Sequence, residues 1–315
     1  MVRLRIAWLS SDAVTSLLYL GALSVLAFAC NGTPRDRDVA QSLHEETTKV
    51  SCERVVSLAP SITEMLFALD LGDRVAGVTR YCEYPAAARK KPYVGGYVDP
   101  DIEAISALNP TVVLLLSEHE LPAQQLAAIG IPTVKLDHHG VSGIYASLGR
   151  IGEICGVSES AARLRARLEQ RVAAVRAVTR VGAPVRVLIT LGRNMGGGGI
   201  SDVFAAGKGI FYDDLIRMAG GINAYSGSVP VPRVSQEGIL QMNPEVIVDM
   251  VPRNQKDESL STEAVRAEWS SLPVSAVKTG RVYVMEESYA VVPGPRFVET
   301  LEALSRILRE KDSIQ

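Results

Sequence analysis

The stretch EAISALNPTVVLLL at 103–116 is written a second time at 237–250, as EGILQMNPEVIVDM. Aligned without gaps, the copies share Glu, Ile, Asn, Pro and Val, and most other positions exchange one apolar residue for another. A repeat that recurs once points to two related lobes, not to a solenoid or propeller, which need several units. In each copy an N-cap residue, Asp101 or Ser235, stands two places before the glutamate. This predicts a helix with Glu103 or Glu237 in its first turn. Asn109-Pro110 and Asn243-Pro244 end those helices, because the residue before proline disfavours helix. A buried strand then starts two residues later in each copy.

The segments around the repeat extend the pattern. RVVSLAPSITEMLFALDLG predicts a strand over Arg54–Leu58 and a helix ending at Gly72, opened by a capping box of Ser61 and Glu64. RVAGVT, VVLLL and PTVKL supply three more strands, and RVLITLG at the head of the second half echoes RVVSLAP. Strands alternating with helical stretches predict βαβ units. Between the halves, Leu164, Leu168, Val172 and Val175 recur at helical spacing, so one helix is expected from Ser158 to about Thr179, a rigid strut in place of a flexible linker. The expected fold is α/β, two lobes with central mostly parallel sheets joined by one long α-helix. The lobes are placed at 53–156 and 182–315, with the connecting helix at 157–181.

The chain has 315 residues, 47% of them hydrophobic, and a net charge of −2. That is room for a large core, and the balance gives no electrostatic case for nucleic acid. Arg3 and Arg5 precede an uncharged run from Ala13 to Ala29, and Cys30 follows at once. A basic start, an apolar centre and a small-x-small exit describe a secretory signal over 1–29. The cysteine adds the reading of a lipoprotein: lipid on Cys30, then a polar tether over 30–52. Ordinary cleavage after Ala27-Phe28-Ala29 is the alternative. Of Cys52, Cys82 and Cys155, export permits one pair with one thiol over, and the sequence does not choose it.

The motifs RVVSLAPSITEMLFALDLG, GVTRYCEYP, the Glu-to-Pro repeat with its strand, and AGGIN with VSQEGIL together resemble the substrate-binding proteins of ABC importers for cobalamin and iron complexes (haem and ferric siderophores). The resemblance runs from about residue 53 to 310. It implies a monomeric, non-enzymatic receptor without a cofactor, on the periplasmic or extracytoplasmic face of a membrane. Its ligand would sit between the lobes, and an acidic residue on each lobe, here Glu103 and Glu237, would dock onto an ABC permease dimer. Read from the residues alone, the same glutamates suit a helix N-terminus, where a carboxylate contributes about 0.3–1 kcal/mol.

The resemblance puts Tyr97 and Tyr81 on the cleft, where a tyrosine offers a flat apolar face with a polar tip. It also places Leu116 and Val231 where cobalamin receptors tend to carry tryptophan, so a differently shaped ligand is open. Arg233 and Arg296 are candidates for carboxylate or phosphate groups of the ligand. His119 follows a strand and is a further candidate. With His138, His139, Glu118, Glu120 and Asp137 it also raises the alternative of a receptor for a bare transition-metal ion. An exported hydrolase is the least favoured reading. The glycines before Gly207-Lys208 do not make a phosphate loop, because Gly209 stands where Ser or Thr is required.

Overall fold

A computed structural model describes residues 51–179, 183–195, 199–252 and 261–310. The signal segment, Cys30 and most of the tether lie outside the described residues, as do most of the four glycines at 196–199.

The first lobe contains β1 (Val55–Ser57), α1 (Pro60–Ala68), β2 (Val75–Val78), α2 (Ile102–Ala107), β3 (Val112–Leu116), α3 (Glu120–Ala128), β4 (Thr133–Leu136) and α4 (Val141–Ile154). Its four strands form a parallel sheet in the order β2-β1-β3-β4. The helix α5 (Ser158–Ala177) follows. The second lobe contains β5 (Val185–Asn194), β6 (Ser201–Ala205), α6 (Phe211–Met218), β7 (Gly221–Asn223), β8 (Arg233–Val234), α7 (Gln236–Met242), β9 (Val246–Met250), α8 (Thr262–Glu268), α9 (Ser275–Lys278), β10 (Val282–Met285) and α10 (Phe297–Arg309).

In the second lobe β5 pairs in parallel with β7 and β9, and β9 with β10. The series β7-β5-β9-β10 therefore repeats β2-β1-β3-β4. The difference is an antiparallel extension, β6 and β8, added where the long β5 runs past β7. The alternation read from the sequence did not anticipate that extension.

Both sheets are covered on both faces, which is why the strands read as unbroken apolar runs. Along β3, Val112, Leu114 and Leu116 enter the main core, while Val113 and Leu115 pack a smaller cluster with Leu126 behind the sheet. Along β9, Val246, Val248 and Met250 enter that same main core. Ile247 faces a separate cluster around Trp269. The buried stripe of α5, from Leu164 to Val175, and the inner face of α10 belong to the main core as well. Arg171 of α5 forks onto Glu302 of α10 at 2.8 and 2.9 Å.

The repeat folds as its residues predict. The Asp101 side chain accepts from the Ala104 N–H at 2.9 Å, and the Ser235 hydroxyl accepts from the Gly238 N–H at 3.2 Å. Glu103 and Glu237 stand exposed in the first turns. Asn109 and Asn243 stop their helices in the left-handed region, at φ 45° and 39°, a conformation asparagine tolerates better than most residues. The capping box at Ser61 is not formed. Pro60 occupies the first helical turn and Ala59 is the cap, so Ser61 already lies inside α1. Among the three cysteines the disulfide joins Cys52 to Cys155, and Cys82 is a buried thiol beside Thr63 and Thr79. Among the described residues no helix is long and apolar enough to cross a membrane.

Candidate functional site

Parallel α/β sheets present their binding loops at the carboxyl ends of the strands. A cavity of about 500 Å³ opens there, in the size range of small-molecule sites of about 300–1,000 Å³. The loop after β1 and the first turns of α1 supply Pro60, Ser61 and Glu64. The segment after β2 supplies Tyr81, Glu83, Tyr84, Tyr97 and Val98. Leu116 and Glu118 come from the end of β3, and His138 and His139 from the end of β4. The second lobe closes the opposite side through one stretch after β10, with Ser288, Val291, Val292, Pro293 and Arg296.

Two tyrosines at this site, Tyr81 and Tyr84, are about half exposed. Tyr97 is more enclosed. Its hydroxyl donates to Glu118 Oε1 at 2.5 Å, and its ring meets His119 edge-on at 4.7 Å. Burial, then the neighbouring carboxylate, pushes the Tyr97 phenol above its usual range, so it stays protonated. His119 does not line the cavity. Its Nδ1 accepts from the Leu116 N–H at 3.1 Å, and the ring supports Tyr97 from behind. His138 is buried, its Nδ1 bonded to Ser61 Oγ at 2.8 Å, and burial lowers its pKa to about 4. It is neutral at physiological pH.

Arg296 reaches the cavity, but it is already engaged. Its Nε donates to Glu64 Oε2 at 2.9 Å and its Nη2 to Glu64 Oε1 at 2.5 Å. The guanidinium lies 3.8 Å from the centre of the Tyr84 ring and 5.7 Å from that of Tyr289. Glu64, read from the sequence as half of a capping box, is thus half of a buried ion pair between the lobes. No local pattern could have shown a partner at the far end of the chain. Arg233 is not brought to this cavity. It is exposed on β8 and paired with Asp202. Tyr84 and the 288–293 stretch were missed, although Tyr84 belongs to the same RYCEYP loop as Tyr81.

Of the residues considered for a bare metal ion, Glu118, His138 and His139 line the cavity, but several are engaged with other partners. His139 pairs with Asp137, Glu120 with Lys135, and Glu118 with Tyr97. Among the described residues no group of three or more His, Cys, Asp or Glu could hold such an ion.

Residues 55–289 match the family described as Periplasmic binding protein. A vitamin B12-binding protein of Yersinia pestis (strain Pestoides F) is 30% identical over 210 residues, covering 66% of this chain and 72% of that protein. The periplasmic heme-binding protein RhuT from Roseiflexus sp. RS-1, in apo form, superposes with a TM-score of 0.70 at 26% identity, over 81% of this chain and 97% of that one. The periplasmic vitamin B12 binding protein BtuF of Vibrio cholerae shares the fold, with a TM-score of 0.67 at 22% identity over 82% of this chain and 98% of that one.

Proposed function

This chain belongs to the periplasmic binding protein family, and we propose that it is the substrate-binding component of an ABC importer. It captures a cobalamin or an iron complex (haem or a ferric siderophore) between its lobes and delivers it to the permease. The observation that carries this reading is the cavity itself. Three tyrosines, Tyr81, Tyr84 and Tyr97, face a space closed by residues of the second lobe. Flat aromatic faces with polar tips suit a broad, flat metal complex. The names of the relatives, which bind vitamin B12 or heme, support the same ligand class.

Glu103 and Glu237 are the docking points for the permease dimer. Both are exposed at equivalent places of the repeat, as a matched pair requires. Cys30, outside the described residues, carries the lipid that holds the protein as a monomer on the periplasmic or extracytoplasmic face. The helix α5 is the strut between lobes 53–156 and 182–315 and limits their closure. Solution scattering that showed a swing of tens of degrees on ligand addition would refute that role.

The test of the cargo is a calorimetric titration with cobalamin, haem and several ferric siderophores. One of them should bind one-to-one at micromolar affinity or tighter, and Tyr97→Ala should weaken it about tenfold or more. Silence across the panel, in heat and in fluorescence, would overturn the cargo and leave the family standing.

A further inference from the structure

The charges around the cavity are unevenly matched. Its lining holds three carboxylates, Glu64, Glu83 and Glu118, and one arginine, Arg296. Glu64 takes the arginine through its Nε and Nη2 donors, one of the two edges by which a guanidinium clasps a carboxylate or phosphate. The guanidinium also lies near the rings of Tyr84 and Tyr289. The side chains of Arg296 and Glu64 are only 14% and 4% exposed. Packing fixes the pair in place. A Cβ on Gly294 would meet Ser61 Cα at 3.3 Å and Glu64 Oε2 at 3.4 Å, so the loop carrying Arg296 lies directly on α1.

A ligand anion reaching the Nη1 side of Arg296 would meet a cation whose charge the Glu64 carboxylate already offsets, and displacing Glu64 would leave a buried carboxylate without its counter-charge. The remaining lining groups offer no substitute. His138 is buried and neutral, and His139 is paired with Asp137. Glu83 faces Arg89 at 3.8 Å, with both side chains well exposed. At the rim, Arg80 is paired with Asp99 at 2.7 Å. Glu118 meets only the neutral phenol of Tyr97 among the bonds described for it.

We infer that this cavity takes a metal complex carrying no net negative charge, and that Glu64 sets the preference by engaging Arg296. The inference rests on the ligand class proposed above and narrows it. Cobalamin and cationic or neutral ferric hydroxamates fit, whereas free haem, with its ionised propionates, and ferric tris-catecholates do not.

The experiment is a binding titration of the full chain with probes matched in shape and different in charge. The first pair is haem and haem dimethyl ester, in which the same ring and iron lack the ionised carboxylates. The second is a trianionic ferric tris-catecholate and a cationic ferric trihydroxamate, with cyanocobalamin as the neutral large probe. The uncharged or cationic member should bind about tenfold or more tightly than its anionic counterpart. Glu64→Gln should shift that ratio toward the anion by about tenfold. Glu83→Gln, at an exposed position that does not depend on the interlobe packing, should shift it the same way by about threefold. Tighter binding of the anionic member by the native chain, or a ratio unmoved by both substitutions, overturns the charge inference alone. Silence with every probe overturns it together with the proposed ligand class.

Discussion

Leu115 and Asp249 occupy the same place in the two copies of the repeat, and both are fully buried on the outer face of their sheets. In the first lobe the site is apolar and packs with Val113 and Leu126. In the second it is a carboxylate with both oxygens directed at donors. Thr190 Oγ1 donates to it at 2.5 Å, Arg193 Nε at 2.8 Å and Trp269 Nε1 at 2.9 Å. Arg193 then reaches Glu268 and the Val265 carbonyl, tying β5, β9 and α8 together. The backbone around the two sites is alike. Thr111 Oγ1 accepts from the Arg54 N–H, and Glu245 Oε2, at the matching position, accepts from the Arg186 N–H. One scaffold thus tolerates two chemistries at one point. The end of β3 lines the cavity through Leu116 and Glu118, whereas β9 ends above a polar tie.

Writing the first lobe's residue into the second is the sharpest way to break the comparison. Asp249→Leu leaves the Arg193 guanidinium, 1% exposed, with one of its two carboxylate partners gone. Removing one member of a buried pair costs about 3–5 kcal/mol, and denaturant unfolding should show a loss of that order. Replacing both members, as Arg193→Met with Asp249→Leu, should recover the part of the loss that comes from the uncompensated Arg193 charge, while Glu268, Thr190 and Trp269 still lose a partner. If the double variant is no better than the single one, the tie does more than satisfy its own charges.

The first lobe has a covalent tie instead. Cys52 and Cys155 close a loop with a sequence separation of 103 residues. Replacing both cysteines with serine should destabilise the chain by about 2–5 kcal/mol, read from the shift of the thermal midpoint. Reductant should lower the midpoint of the native chain and leave the double variant unmoved. An effect of reductant on the variant would mean that Cys82 or Cys30 matters in the assay.

These ties also mark what the sequence made legible. The repeat, its caps at Asp101 and Ser235 and its prolines were readable because each depends on residues within a few positions of one another. The placing of Tyr81 and Tyr97 came through family motifs, and the cavity holds both. Contacts between distant residues left no local trace. Glu64 reads as the end of a capping box at Ser61, yet Pro60 already fills the first turn and the carboxylate turns to Arg296 in the other lobe. Arg233 reads as a ligand group because it precedes the second docking segment. Its nearest carboxylate is instead Asp202, on the antiparallel strand that the alternation did not foresee. The choice among the cysteines needed the distance between Cys52 and Cys155, which the chain order does not carry.

A smaller effect separates the lobes by pH. His138 has a folded pKa of about 4 against an ordinary value near 6.5, so the unfolded chain binds its proton first. The stability that neutral His138 supplies is full above about pH 6.5 and is lost as pH falls toward 4. The loss should approach about 3 kcal/mol, because each pH unit separating the folded and unfolded values is worth about 1.4 kcal/mol. Among the described residues the second lobe contains no histidine. His138→Gln should therefore flatten the difference between native unfolding at pH 7 and at pH 4.5, after the carboxylates common to both proteins are subtracted. An unchanged difference would place the acid sensitivity elsewhere.

The smallest effect on stability should come from the two residues proposed as docking points. Glu103 and Glu237 lie exposed in matched first turns, where a carboxylate gains only a little from the helix N-terminus. Glu237 is held below the usual carboxylate range by the backbone N–H of its own turn and then by Ser235. Its small contribution is present at neutral pH and lost as pH falls through that lowered value. Glu103→Ala with Glu237→Ala should leave unfolding nearly unchanged and ligand affinity within about twofold, because neither lines the cavity. Uptake through the permease should fall by far more, and each single variant should retain part of it, because docking on two equivalent subunits is bivalent. Loss from either single variant as large as that from the double one would mean that both contacts are required at once. Loss confined to one would mean that the repeat is alike in backbone but not in use.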